Sequence, residues 1–463
     1  MIFGEKAKSE FNIEPVVSVD TDKWISECVS AYQGNPCWID EKDHIDSVNF
    51  AKSICSEIAR LTTLGIKIQL DGSARAEWIQ KQIDSIFYQL RPWVEYGCAY
   101  GTAIIKPNGT TIELYLPNQF EITHYTGDKI DGVVFHNWRK EGDKWYTRLE
   151  YHRFEGGAYL ISNKCYEGDA KGDTKRAVDI KDTPWADLAE EARISNVEQP
   201  LFGVFRTPYA NNIDIGSPLG LPAISEAIQE LRDLDIAYSR NAKEILDSKR
   251  TVLLDSERLL PMITPGRHGN ISDVAMLQNV HALGRGGLPD YVKLVDGDTS
   301  TGSDIYHEIN PQLNTEVRMK GINALLSQVG YKAGFSNGHF VFNEQSGVQT
   351  ATQVEADQQR TIQLIKDFRD QLESCVNGLI YALNGFGDLY GLAPQGAYEA
   401  VFDFGDITYN REEDKARWWS YVQSGKVPAW MYFVKFEGMT EEDAKAMVKE
   451  ATPKTPALFG GEE

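Results

Sequence analysis

The sequence predicts an α+β protein that is mainly helical. Apolar residues recur at three- and four-residue steps over most of residues 1–100 and again after residue 217, which is the spacing of helices with one buried face. Residues 101–166 instead alternate short apolar runs with turn residues, which is typical of a β-meander. A chain of 463 residues, 42% of them apolar, is long enough for two to four packed regions.

Three stretches account for the predicted helices of the first hundred residues. Residues 24–32 form a short amphipathic segment. Residues 44–63 predict a helix with one buried stripe, formed by Val48, Ala51, Ile54, Ile58 and Leu61. Residues 75–97 continue as a helix that should break near Pro92, because a proline inside a helix removes a backbone hydrogen bond.

The strand region begins with a hairpin signal. Asn108-Gly109 lies between two β-rich runs, and this dipeptide favours the tight turns that join antiparallel strands. Residues 129–166 then predict a meander with turns at 141–143 and 156–157. Residues 167–200 are charged and show no regular pattern.

Two further helices are predicted on either side of an insertion. Residues 217–250 form the first, capped by Ser217, and residues 222–249 would span about 40 Å if the helix were unbroken. Residues 311–333 form the second, capped by Asn310. The apolar face of the first helix consists of Leu221, Ile224, Ile228, Leu231, Tyr238, Ala242 and Ile245.

The remainder of the chain predicts one long helix and three short ones. Thr352 and Glu355 have the spacing of a capping box, which marks the start of the longest helix. Its predicted buried stripe consists of Val354, Ile365, Phe368, Leu372, Cys375, Leu379 and Leu383. The short helices are predicted at 410–425, 428–438 and 440–451. Residues 452–463 are predicted to form a disordered end.

Charge and cysteine content exclude several classes of protein. The net charge is −21, whereas proteins that hold DNA tightly neutralise its phosphates with Lys and Arg. The acidity either confers solubility or belongs to a protein that meets DNA without holding it. The six cysteines form no C-x-x-C pair, which favours isolated reduced thiols. No run of eighteen apolar residues predicts a membrane span, and the N-terminus does not have the pattern of a signal peptide.

The segment GFSNG, residues 334–338, matches the G-x-S-x-G pattern of serine hydrolases. That pattern needs a strand before the serine and a helix after it, with the acid and then the histidine later in the chain. Here a helical stripe comes first and β-like residues follow, and His339 is the only histidine after Ser336. The segment therefore predicts a glycine-bearing connector between helices, in which Phe335 and Phe340 pack the loop.

No other motif indicates an enzyme that uses a cofactor. The sequence has no P-loop and no H-E-x-x-H or close histidine pair, so neither a nucleotide cofactor nor a metal is expected. The acidic run 296–304 lacks the spacing of a calcium loop. A pair of carboxylates for glycoside hydrolysis stays open, because their separation is not readable from sequence.

Several stretches, taken in order, resemble the portal proteins (head–tail connectors) of tailed bacteriophages, in particular those of long-tailed phages of Gram-positive hosts. They are ICSEIARLTT (54–63), YGCAYGTAIIKP (96–107), LPNQFEIT (116–123), NIDIGSPLGLPAISEAIQELRDLDIAYS (212–239), residues 308–359 including TATQVEAD, and residues 423–448. No single motif is diagnostic. The glycine-rich parts of 251–310 match no pattern of the family, which leaves the partner contacts of that region open.

The resemblance implies a portal fold with wing, stem, clip and crown, and a non-enzymatic ring, usually of twelve copies, at a capsid vertex. Such a ring carries double-stranded DNA during packaging and ejection and docks terminase, a head–tail adaptor and the capsid or scaffold protein. The resemblance also implies that the ring is assembled in the host cytoplasm and becomes part of the virion. The implied regions are 1–216 (wing), 217–250 and 311–333 (stem), 251–310 (clip), 334–350 (channel loop), 351–405 (long wing and crown helix, and a wing strand) and 406–451 (crown).

The resemblance also implies candidate contact residues. Basic and polar side chains of the stem helices and channel loop would face the DNA, and basic side chains of the clip would meet terminase or an adaptor. The DNA-channel candidates are Lys332, Phe335, Ser336, Asn337, His339, Asn343, Lys320 and Lys243, with Arg318, Lys249 and Arg250 as further stem cations. The clip candidates are Arg267, His268, Arg285 and Lys293.

Two other functions remain as alternatives on sequence alone. One is a soluble hydrolase that acts on a polysaccharide or an ester, with Ser336 or a carboxylate pair as its reactive group. The other is a different head-completion or minor capsid protein that shares only the helical centre. The sequence does not set the number of subunits.

Overall fold

The computed structural model describes residues 2–248, 251–255, 292–295, 306–309, 314–341, 351–405 and 411–451, except for positions 15, 41, 43, 110, 128, 425 and 438. Among the described residues, helices make up 46% and strands 24%, and a six-stranded antiparallel sheet is prominent. The prediction of a mainly helical portal fold is therefore wrong. The prediction underestimated the strand content, because several short strands form in stretches of sequence that show no alternating pattern.

The chain divides into two compact units. The first comprises Met1–Thr62 and Leu70–Ala400, and the second comprises Thr63–Gln69 and Val401–Glu463. A two-stranded sheet joins β1 (Lys67–Gly72) to β14 (Tyr398–Asp403). β1 was not predicted from the sequence, whereas β14 lies within 351–405, where the resemblance implies a wing strand.

Helices dominate the first hundred residues, as predicted. They are α1 (Ile2–Phe11), α2 (Val19–Tyr32), α3 (Phe50–Thr62), α4 (Ala74–Ile86) and α5 (Leu90–Tyr100). The predicted helix at 44–63 starts only at Phe50, so Val48 lies in the preceding loop and is 37% exposed. The break in the next helix is a short 3-10 turn at Phe87–Gln89, and Pro92 lies in the first turn of α5, where its missing N–H costs little.

The predicted hairpin at Asn108-Gly109 is confirmed. Strands β2 (Thr102–Asn108) and β3 (Thr111–Tyr115) pair antiparallel with Asn108 opposite Thr111. Gly109 has a φ of 65°, a left-handed conformation that glycine adopts without strain. β10 (Gly203–Arg206) pairs with the other edge of β2 and completes a three-stranded sheet.

The predicted meander is also confirmed, including both of its turns. The strands β4 (Phe120–Thr126), β5 (Lys129–Glu141), β6 (Lys144–Glu155) and β7 (Ala158–Gly168) pair antiparallel in order. Two strands in the stretch predicted to be irregular, β8 (Arg176–Val178) and β9 (Glu191–Ile194), both pair with β7. The apolar core between this sheet and its neighbours includes Phe135, Ile104 and Phe202.

The helices on either side of the insertion are shorter than predicted. α6 spans Ile228–Asp247, preceded by a 3-10 turn, so its length is about 30 Å rather than 40 Å. α7 spans Thr315–Lys332 and starts after Asn314, not Asn310. Ser217 does not cap α6; its hydroxyl accepts a hydrogen bond from the N–H of Leu219 in an upstream turn. Both prolines that follow Ser217 keep that turn out of the helix.

Three short strands lie in the insertion between α6 and α7. They are β11 (Thr251–Asp255), β12 (Val292–Val295) and β13 (Tyr306–Ile309). β11 is the central strand, parallel to β12 and antiparallel to β13.

The longest helix of the described chain is α8, Ala351–Leu389, as predicted. Its apolar stripe is buried from Ile365 to Leu383. Near its C-terminus, the guanidinium of Arg75 donates to the carbonyls of Asn384, Ala393 and Pro394 and to Asp388. These bonds satisfy a fully buried cation and fix the end of α8 against α4.

The second unit contains the three predicted short helices. They are α9 (Arg411–Gln423), α10 (Ala429–Glu437) and α11 (Glu441–Ala451). Trp419 of α9 packs edge-on against Tyr432 of α10, with ring centroids 5.1 Å apart. Thr440 caps α11, because its hydroxyl accepts from the N–H of Asp443. The predicted disordered end, 452–463, lies outside the described residues.

Candidate functional site

The α6–α7 pair carries four of the predicted DNA-facing cations, Lys243, Arg318, Lys320 and Lys332. The two helices run antiparallel and pack through Leu234 of α6 and Ile322 and Leu326 of α7, all of which are buried. Apolar contact along one face of each helix is what the sequence periodicity requires. The pair therefore forms a rigid support for the side chains on its other faces.

Two of the predicted DNA-facing cations connect the helices instead. Lys332 Nζ lies 2.6 Å from Glu230 Oε1 at one end of the pair. Arg318 pairs with Glu244 at the other end. Because each cation is neutralised by an acid of α6, neither has an unpaired charge to offer to a phosphate.

The other two stem lysines are free of such cross-links. Lys320 Nζ lies 3.0 Å from Glu316 Oε1 one turn away, and both side chains are largely exposed. Lys243 is exposed and makes no ion pair within the described part of the chain. An exposed ion pair such as Lys320–Glu316 contributes little to stability. Lys320 and Lys243 are therefore both available to bind an anion.

Two arginines of α6 were missed by the sequence prediction. Arg232 and Arg240 are exposed, and like Lys243 they have no ion-pair partner among the described residues. At about 100° per residue, the three cations fall within about 80° of one another around α6. This spacing along the helix predicted at 217–250 already indicates a basic face, and that pattern could have identified both arginines from the sequence.

The segment after α7 is a packed turn rather than a loose connector. Gly334 has a φ of 86°, and a Cβ there would lie 2.9 Å from Leu364 of α8, so this position needs glycine. Phe335 is fully buried. Its ring lies edge-on to Phe340 at 4.8 Å, which confirms that these rings pack the segment.

Ser336 is bonded to α8. Its Oγ accepts from the N–H of Thr361 at 3.1 Å, its N–H donates to Thr361 Oγ1 at 2.8 Å, and the two hydroxyls lie 3.0 Å apart. The side chain is 6% exposed and follows a helix, not a strand. A nucleophile needs access and a nearby base, and Ser336 has neither in this arrangement. Burial likewise leaves Phe335 and Ser336 with no surface for a DNA backbone.

The polar residues of the turn remain at the surface. Asn337 is exposed, and its amide oxygen accepts from the hydroxyl of Ser327. His339 is stacked on Phe335 with ring centroids 4.7 Å apart, and its Nε2 lies 3.3 Å from Glu57 Oε1. The β-like residues that follow Ser336 form no strand in their described part, because His339 and Phe340 lie in a turn.

A groove of about 390 Å³ lies beside the distal half of α6. Its floor is formed by Tyr238, Ala242 and Leu246, one turn apart on the helix, and Val48 lines the opposite wall. Tyr238 is 51% and Leu246 68% exposed. The predicted apolar stripe of this helix is therefore buried at its start and uncovered at its end.

The wall of this groove is firmly attached to α6. Asp235 accepts from Trp38 Nε1 and from the N–H of Val48, both at 2.9 Å. The hydroxyl of Ser239 accepts from the N–H of Asp46 at 3.0 Å. The groove is thus preformed, and filling it would cost little ordering of the chain.

A second polar cluster is buried between the two main sheets. Lys106 Nζ and Arg148 Nη2 each lie 2.9 Å from Glu150 Oε2, and His152 Nε2 lies 2.8 Å from Glu150 Oε1. Burial alone would raise the pKa of the Glu150 carboxyl, but Arg148 and Lys106 outweigh it and hold that pKa well below its ordinary value. A general acid needs a raised pKa, so Glu150 is suited to joining the sheets rather than to glycoside hydrolysis.

The side chains of seven predicted contact residues lie outside the described part of the chain. Asn343, Arg267, His268 and Arg285 lie outside the described residues. Lys293 lies in β12 opposite Leu253, and its side chain is likewise outside the described part. The same holds for Lys249 and Arg250.

The described residues contain no group of three or more His, Cys, Asp or Glu side chains placed to hold a metal ion. All six cysteines are free thiols, and only Cys37 is exposed. None of the described helices combines the length and the apolar character that crossing a membrane requires. Comparison with models of protein families and with curated proteins gives no match.

Proposed function

We propose that this chain is the repeating subunit of a portal-type ring, which forms the DNA channel at a capsid vertex. The ring would carry the genome during packaging and ejection. It would also dock terminase and a head–tail adaptor. The proposal assigns the subunit a structural role and no catalytic one.

The uncovered apolar surface of the α6–α7 pair carries the proposal. Tyr238, Ile245 and Leu246 of α6 and Val317 of α7 are 50–71% exposed, and all lie in the distal half of the pair. Clusters of exposed apolar side chains on an otherwise charged protein mark surfaces that bind other proteins. In a ring, copies of the same chain cover one another's apolar surface.

The insertion between the two helices supports the same proposal. The helix pair is held in register by ion pairs at both ends, and the strands β11–β13 follow at its distal end. The ordered resemblance of residues 212–239 and 308–359 to portal proteins falls on this pair and on the turn after it. The insertion would then face the docking proteins, while the helix pair contacts neighbouring copies.

The charges are suited to guiding DNA without retaining it. Arg232, Arg240 and Lys243 are exposed on α6, within a chain whose net charge is −21. A few cations give weak contacts with phosphates, and the surrounding acids oppose the counterion release that makes DNA binding tight. These three cations, with exposed Asn337 and His339, are the proposed DNA-facing residues.

The proposal is tested by the mass and shape of the purified protein. Mass photometry should show a closed assembly near 12 × 52.0 kDa, about 620 kDa, and negative-stain images should show a ring with a central hole. Co-expression with the capsid scaffold protein provides the second condition. A chain that stays monomeric at micromolar concentration in both conditions would contradict the proposal.

A further inference from the structure

Two different surfaces of the α6–α7 pair lie at the same level along it. Arg318 pairs with Glu244 and Lys332 pairs with Glu230, so both ion pairs give the same antiparallel register. In that register Val317 is level with Ile245, next to Leu246, and Ala324, seven residues further along α7, is level with Tyr238. The outer face of α7 and the α6 groove therefore lie at the same position along the axis of the helix pair.

The outer face of α7 has the character of a contact surface. Val317 is 71% exposed and Ala324 is exposed, and residues seven apart lie on the same side of a helix. They point away from Ile322 and Leu326, which face α6. Lys320, 75% exposed, stands between them.

The groove offers complementary groups. Its apolar floor of Tyr238, Ala242 and Leu246 is bordered by the exposed carboxylates of Asp46 and Asp247, and His44 and the cation Lys243 line it as well. These acids repel the surface of a chain whose net charge is −21, except where that surface presents a cation. The face of α7 presents Lys320 at this level.

We infer that the α6 groove is the binding site for the outer face of α7 from a second copy of this chain. Val317 and Ala324 of the second copy lie over Leu246 and Tyr238, and the second copy's Lys320 approaches Asp46. The two surfaces differ, so the contact is heterologous and adds further copies in one direction. Because the surfaces are level, rotation about an axis along the helix pair closes the copies into a ring. This inference rests on the proposed ring and names the contact that builds it.

Cysteine cross-linking between two co-expressed chains tests the contact. One chain carries Leu246→Cys and the other, larger by a tag, carries Val317→Cys, both in a Cys37→Ser background that leaves only buried native thiols. A disulfide between chains of different size is intermolecular. Mild oxidation of the assembled ring should give this mixed dimer as the main product.

A matched pair of variants measures the register. Tyr331 is also exposed on α7 but lies about 21 Å further along the helix than Val317. Leu246→Cys with Tyr331→Cys should give at least tenfold less mixed dimer than Leu246→Cys with Val317→Cys. Tyr238→Cys with Ala324→Cys should cross-link as a second matched level.

The outcomes separate the contact from the ring. A ring that forms without the mixed dimer, or one in which Leu246→Cys chains cross-link to each other, overturns this contact and leaves the proposed ring standing. A wild-type protein that never assembles overturns both. Comparison of Val317→Asp with wild type by mass photometry adds a direct readout, since the variant should assemble at least tenfold less at equal concentration.

Discussion

The carboxylate of Glu57 connects α3 to the turn after α7. Arg60 donates to it from Nε at 2.8 Å and from Nη2 at 2.7 Å, and His339 approaches it from the other side at 3.3 Å. The hydrogen bonds from Arg60 and then His339 lower the pKa of Glu57 to about 2. The folded state therefore favours the ionised form of the Glu57 carboxylate.

Acid should remove this contribution. The folded pKa of Glu57 lies below its ordinary value of 4.5, so the stabilisation is present above about pH 4.5 and is lost as the pH falls towards about 2. Between pH 5 and pH 2, the free energy of unfolding of wild type should fall by about 1 kcal/mol more than that of Glu57→Gln, after allowance for solvent screening. Urea titrations across this range measure the difference.

Glu316 provides the matched control. It also pairs with a cation on its own helix, but its side chain is 85% exposed. Glu316→Gln should follow wild type across the same pH range. If Glu57→Gln loses as much stability in acid as wild type does, the bonds from Arg60 and His339 do not stabilise the folded chain.

At the scale of the elements, the turn at 334–341 is held on α8 by a pair of hydroxyls. Ser336 and Thr361 exchange hydrogen bonds through both side chains and both N–H groups. Both residues are buried, so a lost partner leaves a polar group without water. The turn and α8 should therefore unfold together.

Ser336→Ala should lower the free energy of unfolding by about 1–2 kcal/mol, and Thr361→Val by a similar amount. The double variant should lose less than the sum, with a coupling of about 1 kcal/mol, because the two side chains bond each other. Denaturant titration of the four proteins measures this. Additive losses would show that the hydroxyl pair does not join the turn to α8.

Exposed Ser9, whose hydroxyl donates to the carbonyl of Lys6 in α1, supplies the control. Ser9→Ala should change the free energy of unfolding by less than about 0.5 kcal/mol. The comparison separates loss of a buried pair from loss of any serine hydroxyl.

Elements with a local signal were predictable, and those without one were not. The Asn108-Gly109 hairpin, the meander and α8 each carry a turn or a periodic stripe within the element itself. The strands β1, β8, β9 and β14 are short, and each forms because a partner strand elsewhere accepts its hydrogen bonds. Pairing of that kind leaves no pattern in a run of three to six residues.

At the scale of the whole molecule, net charge sets the conditions for assembly. Twelve copies at −21 each would bring together about −252 charges, which repel one another unless salt screens them. The fraction of protein in the proposed ring should therefore rise from low to high NaCl concentration. Mass photometry at a fixed protein concentration measures that fraction.

The opposite trend would mean that attractive ion pairs hold the copies together more strongly than the net charge separates them. Lys320→Gln distinguishes the two contributions, since it removes one cation of the inferred contact and makes each copy more acidic. It should shift assembly to higher salt than wild type needs. A variant that assembles as wild type does at every salt concentration would contradict a role for Lys320 in the contact.

The sequence by itself determined the helices and the meander and the cysteines' isolation, and it argued against GFSNG as a hydrolase motif. It also placed the candidate cations on two helices. These features are local, because helical periodicity and turn chemistry act over a few residues.

Only the tertiary structure decided which candidates are free. Lys332 and Arg318 are neutralised by acids of α6, Ser336 is bonded to Thr361, and Arg232 and Arg240 remain exposed. The groove exists because Asp235 holds Trp38, 197 residues away, against α6. Burial and ion pairing depend on which distant segments the fold brings together, and that information is not contained in any local stretch of the chain.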